Sequence, residues 1–275
     1  MSYVEPAIKL NFDDVLLKPK RSTLTSRASV DLNRTITFRH SSKTFTGIPI
    51  MAANMDGVGT FAMAKVLQKF NCLTVIKKHY TLNEWKEAIG HGVKLSHIAV
   101  CTGANMIHDP KAEDYHNMKK ILEQWPDINY ICIDVANGYQ EAFSSFVARV
   151  RKEYPDKVII AGNVITPEMT EQLIIRGADI VKCGIGPGSV CTTRTMTGVG
   201  YPQISGIMEC SDAAHGLKGT VVADGGCRTP GDVSKAYAAG ADFVMLGGML
   251  AGHQECELPL ANGVYEFYGM SSDRA

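Results

Sequence analysis

A chain of 275 residues can form one α/β barrel or two small domains, and its 45% hydrophobic fraction is enough for a large core. Its 28 basic residues balance its 28 acidic ones, so no net field draws in nucleic acid and no block of like charge marks a tail. The N-terminus lacks the basic-then-apolar pattern of a signal peptide, and no apolar run reaches the length of a membrane span.

Residues 1–46 read as an irregular, solvated lead-in carrying the basic cluster Lys18-Pro19-Lys20-Arg21 and then Ser26-Arg27. A barrel is expected over 47–275. Its first strand is Gly47–Ala53, followed by a helix from Thr60 to Phe70. Leu73–Ile76 is the second strand. Thr81 and Glu84 then form a capping box, in which hydroxyl and carboxylate reciprocally satisfy backbone N–H groups. His97–Cys101 is the third strand, and Asp109-Pro110 opens the next helix. Tyr130–Ala136 and Val158–Ala161 are the fourth and fifth strands, the first followed by a helix to Tyr154. Thr166-Pro167 caps a helix that Gly177 stops. Asp179–Cys183 is the sixth strand, and a helix from Ser205 to His215 is closed by Gly216. Thr220–Ala223 and Asp242–Leu246 are the seventh and eighth strands, separated by a helix from Thr229-Pro230 to Gly240. A hairpin turned at Asn262-Gly263 ends the pattern, with no eighth helix.

Eight short, nearly continuous apolar strands alternating with capped helices imply a parallel sheet buried on both faces, and eight strands close a TIM (β/α)8 barrel. A doubly wound open sheet is the alternative. It is disfavoured because no G-x-G-x-x-G follows the first strand. The eight cysteines include no C-x-x-C pair, and Cys72, Cys101, Cys132 and Cys183 lie inside apolar runs. Free thiols in a reducing, cytoplasmic setting fit this usage better than a zinc or thioredoxin-type site.

The stretch Gly184–Arg194 carries the densest chemistry. Its glycines and Pro187 exclude regular structure, while Ser189, Cys191, Thr192, Thr193 and Arg194 bring a thiol, three hydroxyls and a guanidinium together. In a parallel barrel such a loop opens at the C-terminal mouth, where active sites sit. Gly225-Gly226 and Gly247-Gly248 follow the seventh and eighth strands, the usual barrel site for a phosphate, so a phosphorylated small molecule is expected. Cys191 is the candidate nucleophile. It needs positive surroundings or backbone dipoles to ionise, which N–H groups and Arg194 could supply. No His is near it in sequence, so no Cys–His dyad is readable. Lys78 and Asp134, at other strand ends, are candidate orienting charges.

Gly186-Pro187-Gly188-Ser189-Val190-Cys191-Thr192-Thr193-Arg194, with Thr197–Gln203 after it, resembles the IMP dehydrogenase/GMP reductase family. The stretches Phe12–Ser22, Cys132–Tyr139, Ala161–Val164, Asp224–Cys227 and Phe267–Ser272 point to its GMP-reducing branch, and the resemblance runs from about Lys9 to the last residue. There is no room for the regulatory domain that IMP dehydrogenases usually insert. The resemblance implies reduction of GMP by NADPH to IMP, ammonia and NADP. In it, Cys191 attacks purine C2 and Thr193 shares in proton transfer. Ser189, Asp224, Gly225, Gly226, Gly247, Gly248, Gly269, Met270 and Ser271 would hold the nucleotide. Lys78, Asp134, Val135, Ala136, Ile185 and Gly186 would face the cofactor, with Ser26 and Arg27 reaching NADPH of a neighbouring subunit in a homotetramer. Main-chain groups at Gly186, Gly188, Cys191 and Arg194 would bind a monovalent cation, potassium. Gly57 and Lys77 stand where Thr and His are expected. The family pattern also continues beyond Ser272 into a flap with an Arg and a catalytic Glu, then a last helix, neither of which occurs in these 275 residues. The alternatives are a non-catalytic nucleotide-binding form, oxidation of IMP, and a different barrel enzyme acting on phosphorylated substrates. Against the last, no Schiff-base Lys stands out.

Overall fold

A computed structural model describes residues 5–104, 113–258, 260–261 and 264–270. The chain opens with two 3-10 turns, Phe12–Asp14 and Arg27–Ser29, and a hairpin of β1 (Arg34–Thr37) and β2 (Thr44–Gly47). The barrel strands are β3 (Ile50–Ala52), β4 (Leu73–Val75), β5 (Ile98–Thr102), β6 (Tyr130–Asp134), β7 (Val158–Val164), β8 (Ile180–Cys183), β9 (Thr220–Asp224) and β10 (Phe243–Leu246). They pair in sequence order, all parallel, and β10 closes on β3. The closed ring rules out the doubly wound sheet. The helices are α1 (Phe61–Leu67), α2 (Leu82–Gly90), α3 (Glu113–Gln124), α4 (Glu141–Glu153), α5 (Pro167–Ile175), the short α6 (Thr193–Thr197), α7 (Gln203–Gly216) and α8 (Pro230–Ala238). A two-stranded element, β11 (Leu260–Ala261) with β12 (Val264–Tyr265), follows.

Strand parity builds two cores. On β8, Ile180 points into the barrel with Ile160, Val222 and Met245, while Val181 and Cys183 face the helices with Val147, Leu173 and Cys210. Capping fixes the helix starts. Thr81 and Glu84 form the expected box at α2, and Thr229 forms one with Asp232 at α8, where Pro230 takes the first turn.

Several expectations need correction. Residues 34–47 are not an irregular lead-in: the β1–β2 hairpin inserts Phe38 and Phe45 under the N-terminal ends of the strands. Phe38 meets Tyr130 and Phe243 at ring-centroid distances of 6.2 and 6.3 Å, and Phe45 meets Phe243 at 5.1 Å. These rings seal the end opposite the strands' C-terminal mouth. The first barrel strand therefore starts at Ile50, since Gly47 belongs to the hairpin. Thr166 makes no side-chain cap; Pro167 in the first turn of α5 does the positioning. The helix after the central loop begins at Gln203, two residues early, and the chain reverses at Lys218 (φ 57°) rather than at Gly216. Thr193 and Arg194 are helical, in α6, so the loop is not irregular throughout. The Asp109-Pro110 start, the Asn262-Gly263 turn and Ser271 lie outside the described residues.

Candidate active site

One cavity opens at the C-terminal mouth of the barrel. Its rim is the stretch 184–193, which leaves β8 and is pinned at both ends. Gln203 Nε2 donates to the carbonyls of Cys183 (3.0 Å) and Asp224 (3.2 Å), tying the exits of β8 and β9 together. The Cys191 N–H donates to the Gly188 carbonyl at 3.1 Å, closing a turn that lifts Cys191 over the cavity. Its thiol, half-buried, donates to Thr193 Oγ1 at 3.3 Å.

The glycine pairs after β9 and β10 do what the sequence requires of them. Gly225 and Gly226 both hold φ +87°, which a side chain would strain, and a Cβ on Gly225 would lie 3.0 Å from Pro187 Cγ and 3.2 Å from Gly188 N. Gly248 faces Ser189, whose Oγ would lie 3.1 Å from a Cβ there. Backbone from the loops after β8, β9 and β10 thus converges on one stretch of the cavity wall.

The floor is charged. Lys182 occupies the topmost inward position of β8 and is 2% exposed. Its Nζ is 2.5 Å from Asp134 Oδ1, 3.4 Å from Asp224 Oδ2 and 3.4 Å from Asn54 Oδ1. Asn54 Nδ2 donates to the other Asp134 oxygen at 2.9 Å, and Asn163 Nδ2 donates to Asp224 Oδ2 at 2.8 Å. Burial alone would push the Lys182 ammonium down, but the charges of Asp134 and Asp224 outweigh it and hold the group well above the usual lysine range. Burial likewise pushes the Asp134 carboxyl up, yet Lys182 and the Asn54 hydrogen bond bring it below the usual carboxylate value. A lysine held charged in this way is no Schiff-base nucleophile, which counts against the alternative barrel chemistry.

Of the residues singled out in the sequence, Ser189, Cys191, Thr193, Asp224, Gly225, Gly226, Gly247, Gly248, Gly269 and Met270 line this cavity together. So do Asp134, Val135, Ala136, Ile185, Gly186 and Gly188. Others lie apart. Lys78 is paired with Asp114 at 2.8 Å, and Ser26 and Arg27 sit on an exposed turn where the Ser26 hydroxyl accepts from Ala28 N–H. Arg194 does not line the cavity: its guanidinium donates to the Tyr201 carbonyl and its stem packs against Gly186 and Gly200. The arginine is a brace for the loop. Sequence reading missed Lys182. A charged residue inside a strand buried on both faces was the available signal, because such a side chain can be satisfied only at the strand's end.

The model of the IMP dehydrogenase / GMP reductase domain matches residues 9–275. The chain belongs to the IMP dehydrogenase/GMP reductase family. Among relatives of this family, GMP reductase 2 of Bos taurus is 57% identical over 280 residues, covering 100% of this chain and 79% of its own length. GMP reductase of Yersinia pestis (strain Pestoides F) is 57% identical over 278 residues, covering 99% of this chain and 78% of its own. Among solved structures, inosine 5′-monophosphate dehydrogenase of Legionella pneumophila superimposes with a TM-score of 0.77 at 33% identity, over 92% of this chain and 74% of that one. Its likeness agrees with the closed barrel.

Proposed function

We propose that this chain catalyses the NADPH-dependent reductive deamination of GMP to IMP and ammonia through a thioimidate on Cys191. The observation that carries the reading is the Cys191 thiol, hydrogen-bonded to Thr193 at 3.3 Å, on the rim of a backbone cradle suited to a phosphate. The names of the relatives, GMP reductase at 57% identity over the whole chain, favour reduction of GMP over oxidation of IMP.

The cradle of Ser189, Gly225, Gly226, Gly247 and Gly248 would bind the 5′-phosphate through backbone N–H groups and one hydroxyl. Asp224, at the end of β9 and held by Asn163, would take the ribose hydroxyls. Gly269 and Met270 would lie along the base, which leaves C2 beside Cys191. The thiolate then adds to C2. Thr193 passes a proton to the departing amine, the C2–N bond breaks, and ammonia leaves a C2–S thioimidate. Splitting the exchange into two steps replaces one difficult displacement. NADPH held beside Val135 and Ala136 would supply a hydride to C2, and Cys191 would then leave as thiolate, releasing IMP. GMP, NADPH and one proton thus become IMP, ammonia and NADP.

The residues present suit the cofactor: Ala53, Met55, Val135 and Ala136 line the same cavity as Asp134, and their small or flexible apolar side chains would accept a flat ring. Lys78 would approach from the same side. For a monovalent cation, potassium, the carbonyls of Gly186, Gly188 and Cys191 would supply oxygen ligands, that of Gly188 while also accepting the Cys191 N–H. Among the described residues no His, Cys, Asp and Glu cluster offers a site for a transition metal. A homotetramer would place exposed Ser26 and Arg27 against a neighbouring subunit's cofactor and cover the exposed Leu16, Leu24 and Leu32. The free thiols fit a cytoplasmic enzyme. Among the described residues no helix is long and apolar enough to cross a membrane.

The test is loss of nicotinamide absorbance when GMP is added to the protein and NADPH, with Cys191→Ala as control. Turnover that vanishes in the variant supports the reading. A folded chain that binds GMP without turnover would support the non-catalytic form, and reduction of NAD by IMP would support the oxidative one.

A further inference from the structure

The ion cluster on the cavity floor joins parts of the site that the reaction uses at different moments. Asp134 ends β6 next to Val135 and Ala136, the residues proposed to face the nicotinamide, whereas Asp224 ends β9 next to Gly225 and Gly226, the residues proposed to hold the nucleotide. Lys182 stands between them on β8. Its passage upward is cleared by Gly162 on β7, where a Cβ would fall 2.5 Å from Lys182 Cβ. Asn54 holds the far oxygen of Asp134, and Asn163 holds Asp224 and also donates to the Gly184 carbonyl at 2.9 Å. A continuous chain of polar contacts therefore crosses the barrel mouth, from the turn after β3 to the base of the Cys191 loop.

We propose that Lys182 is a positioning residue that locks Asp134 and Asp224 into one arrangement, so that the nicotinamide and the purine C2 meet in register for hydride transfer. This inference rests on the proposed reduction of GMP. Lys182 need not touch either reactant; it sets the spacing between the two carboxylates that do. Its charge also leaves the floor at −1 rather than −2 beneath an anionic nucleotide. The other groups felt at this point are Cys132 on β6, Cys101 on β5, and Lys78, whose own partner is Asp114. The Cys101 thiol is held well above its ordinary value by its hydrogen bond with Cys132 and by burial, so it stays neutral and does not replace the missing charge. Without Lys182, burial becomes the dominant influence on Asp134 and its carboxyl rises. Protonated Asp134 then appears at a higher pH as pH falls, which moves the acid limb of kcat/KM upward.

The experiment compares wild type, Lys182→Met and Lys182→Arg in GMP-dependent NADPH oxidation across pH, with thermal unfolding as the folding control. For Lys182→Met the expected result is a kcat lower by about 100-fold, the scale of a misplacement of about 1 Å, with the KM for GMP changed far less. Its acid limb should move to higher pH. Lys182→Arg keeps the charge, so its acid limb should stay at the wild-type position while kcat drops, because a planar fork cannot reproduce the spacing of a point charge. A folded Lys182→Met with an unmoved acid limb, or with an unchanged kcat, overturns the inference. Should Lys182→Met fail to fold, Lys182→Arg decides: a wild-type kcat or a displaced limb overturns it. Wild type without any turnover would refute the proposed reaction itself, and with it this role. That result is distinct from an active wild type whose variants behave identically.

Discussion

Replacing Thr193 by Val tests whether its hydroxyl carries a proton in the reaction. Its Oγ1 accepts the Cys191 thiol at 3.3 Å, and the two shapes are nearly the same. What changes is one hydroxyl. Thr193 is the first residue of α6, where Thr and Val have similar helix propensities. Its carbonyl still accepts from the Thr197 hydroxyl at 2.7 Å, so the fold should be undisturbed. Positioned proton transfer is worth about 100- to 10,000-fold. The lower end applies here because a hydroxyl is a weak base and must relay the proton rather than keep it. A 100-fold loss in kcat is about 2.7 kcal/mol of lost transition-state stabilisation. The KM for GMP should hardly move, since Thr193 is not among the groups proposed to hold the phosphate, Ser189, Gly225, Gly226, Gly247 and Gly248. Stopped-flow absorbance of NADPH reads both constants, and Thr193→Ser should restore most of the rate. A Thr193→Val enzyme within about threefold of wild type in kcat would remove the hydroxyl from the proton path.

Gly248→Ala places a methyl 3.1 Å from Ser189 Oγ in the anion cradle. Loss of one hydrogen bond to a charged group, about 1.5–3 kcal/mol, should raise the KM for GMP at least tenfold, and an unchanged KM in steady-state kinetics would move the phosphate elsewhere. Phe243→Ala removes the ring on which Phe38 and Phe45 converge. It should lower stability by about 3–5 kcal/mol in urea titration, whereas a loss below about 1 kcal/mol would mean that the hairpin does not seal the barrel. At Asp232, burial pushes the carboxyl up, but hydrogen bonds from the Arg228 N–H and from Thr229 outweigh it and hold the group below its ordinary value. A depressed folded value stabilises fully above the unfolded pKa of about 3.9 and is lost as pH falls through the folded one. Asp232→Asn should therefore be less stable than wild type near neutrality and lose that deficit below about pH 4; a gap that persists there would refute the linkage.

The barrel strands were readable because parallel strands buried on both faces are almost wholly apolar, as in Tyr130–Asp134 and Phe243–Leu246. Helix starts were readable where a side chain does the capping, as at Thr81 and Thr229, and less so at Thr166, where only the proline acts. The β1–β2 hairpin escaped because its strands, Arg34-Thr-Ile-Thr and Thr44-Phe-Thr-Gly, are mostly polar and exposed. Its reversal also runs through Ser42 at φ 55° without a glycine to mark it. Phe38 and Phe45 are buried in the core and Ile36 packs partly against it, too few for a periodic pattern. At the site, the glycine pairs and the Cys191 loop were legible from residue type alone. Arg194 was not: its position beside Cys191 in sequence suggested a charge for the thiolate, while the fold turns it onto the Tyr201 carbonyl.

The cavity floor is better explained by chemistry than by stability. Burying Lys182 fully, and Asp134 and Asp224 in part, carries a desolvation penalty that their attraction roughly offsets, so the cluster is weak evidence of added stability. One layer down in the same barrel, Ile160, Ile180 and Val222 fill the interior without a charge. A charged layer above an apolar one, on the same strands and in the same inward positions, has no packing rationale. Its rationale lies in placement. Strand ends fix carboxylates more rigidly than loops do, while the loop supplies what must approach the substrate closely: backbone N–H groups, the Cys191 thiol and the Thr193 hydroxyl. A reaction that must bring a nucleotide carbon and a hydride donor into register needs both kinds of support. Lys182 is where they connect, since the strand that carries it runs directly into the loop that carries Cys191.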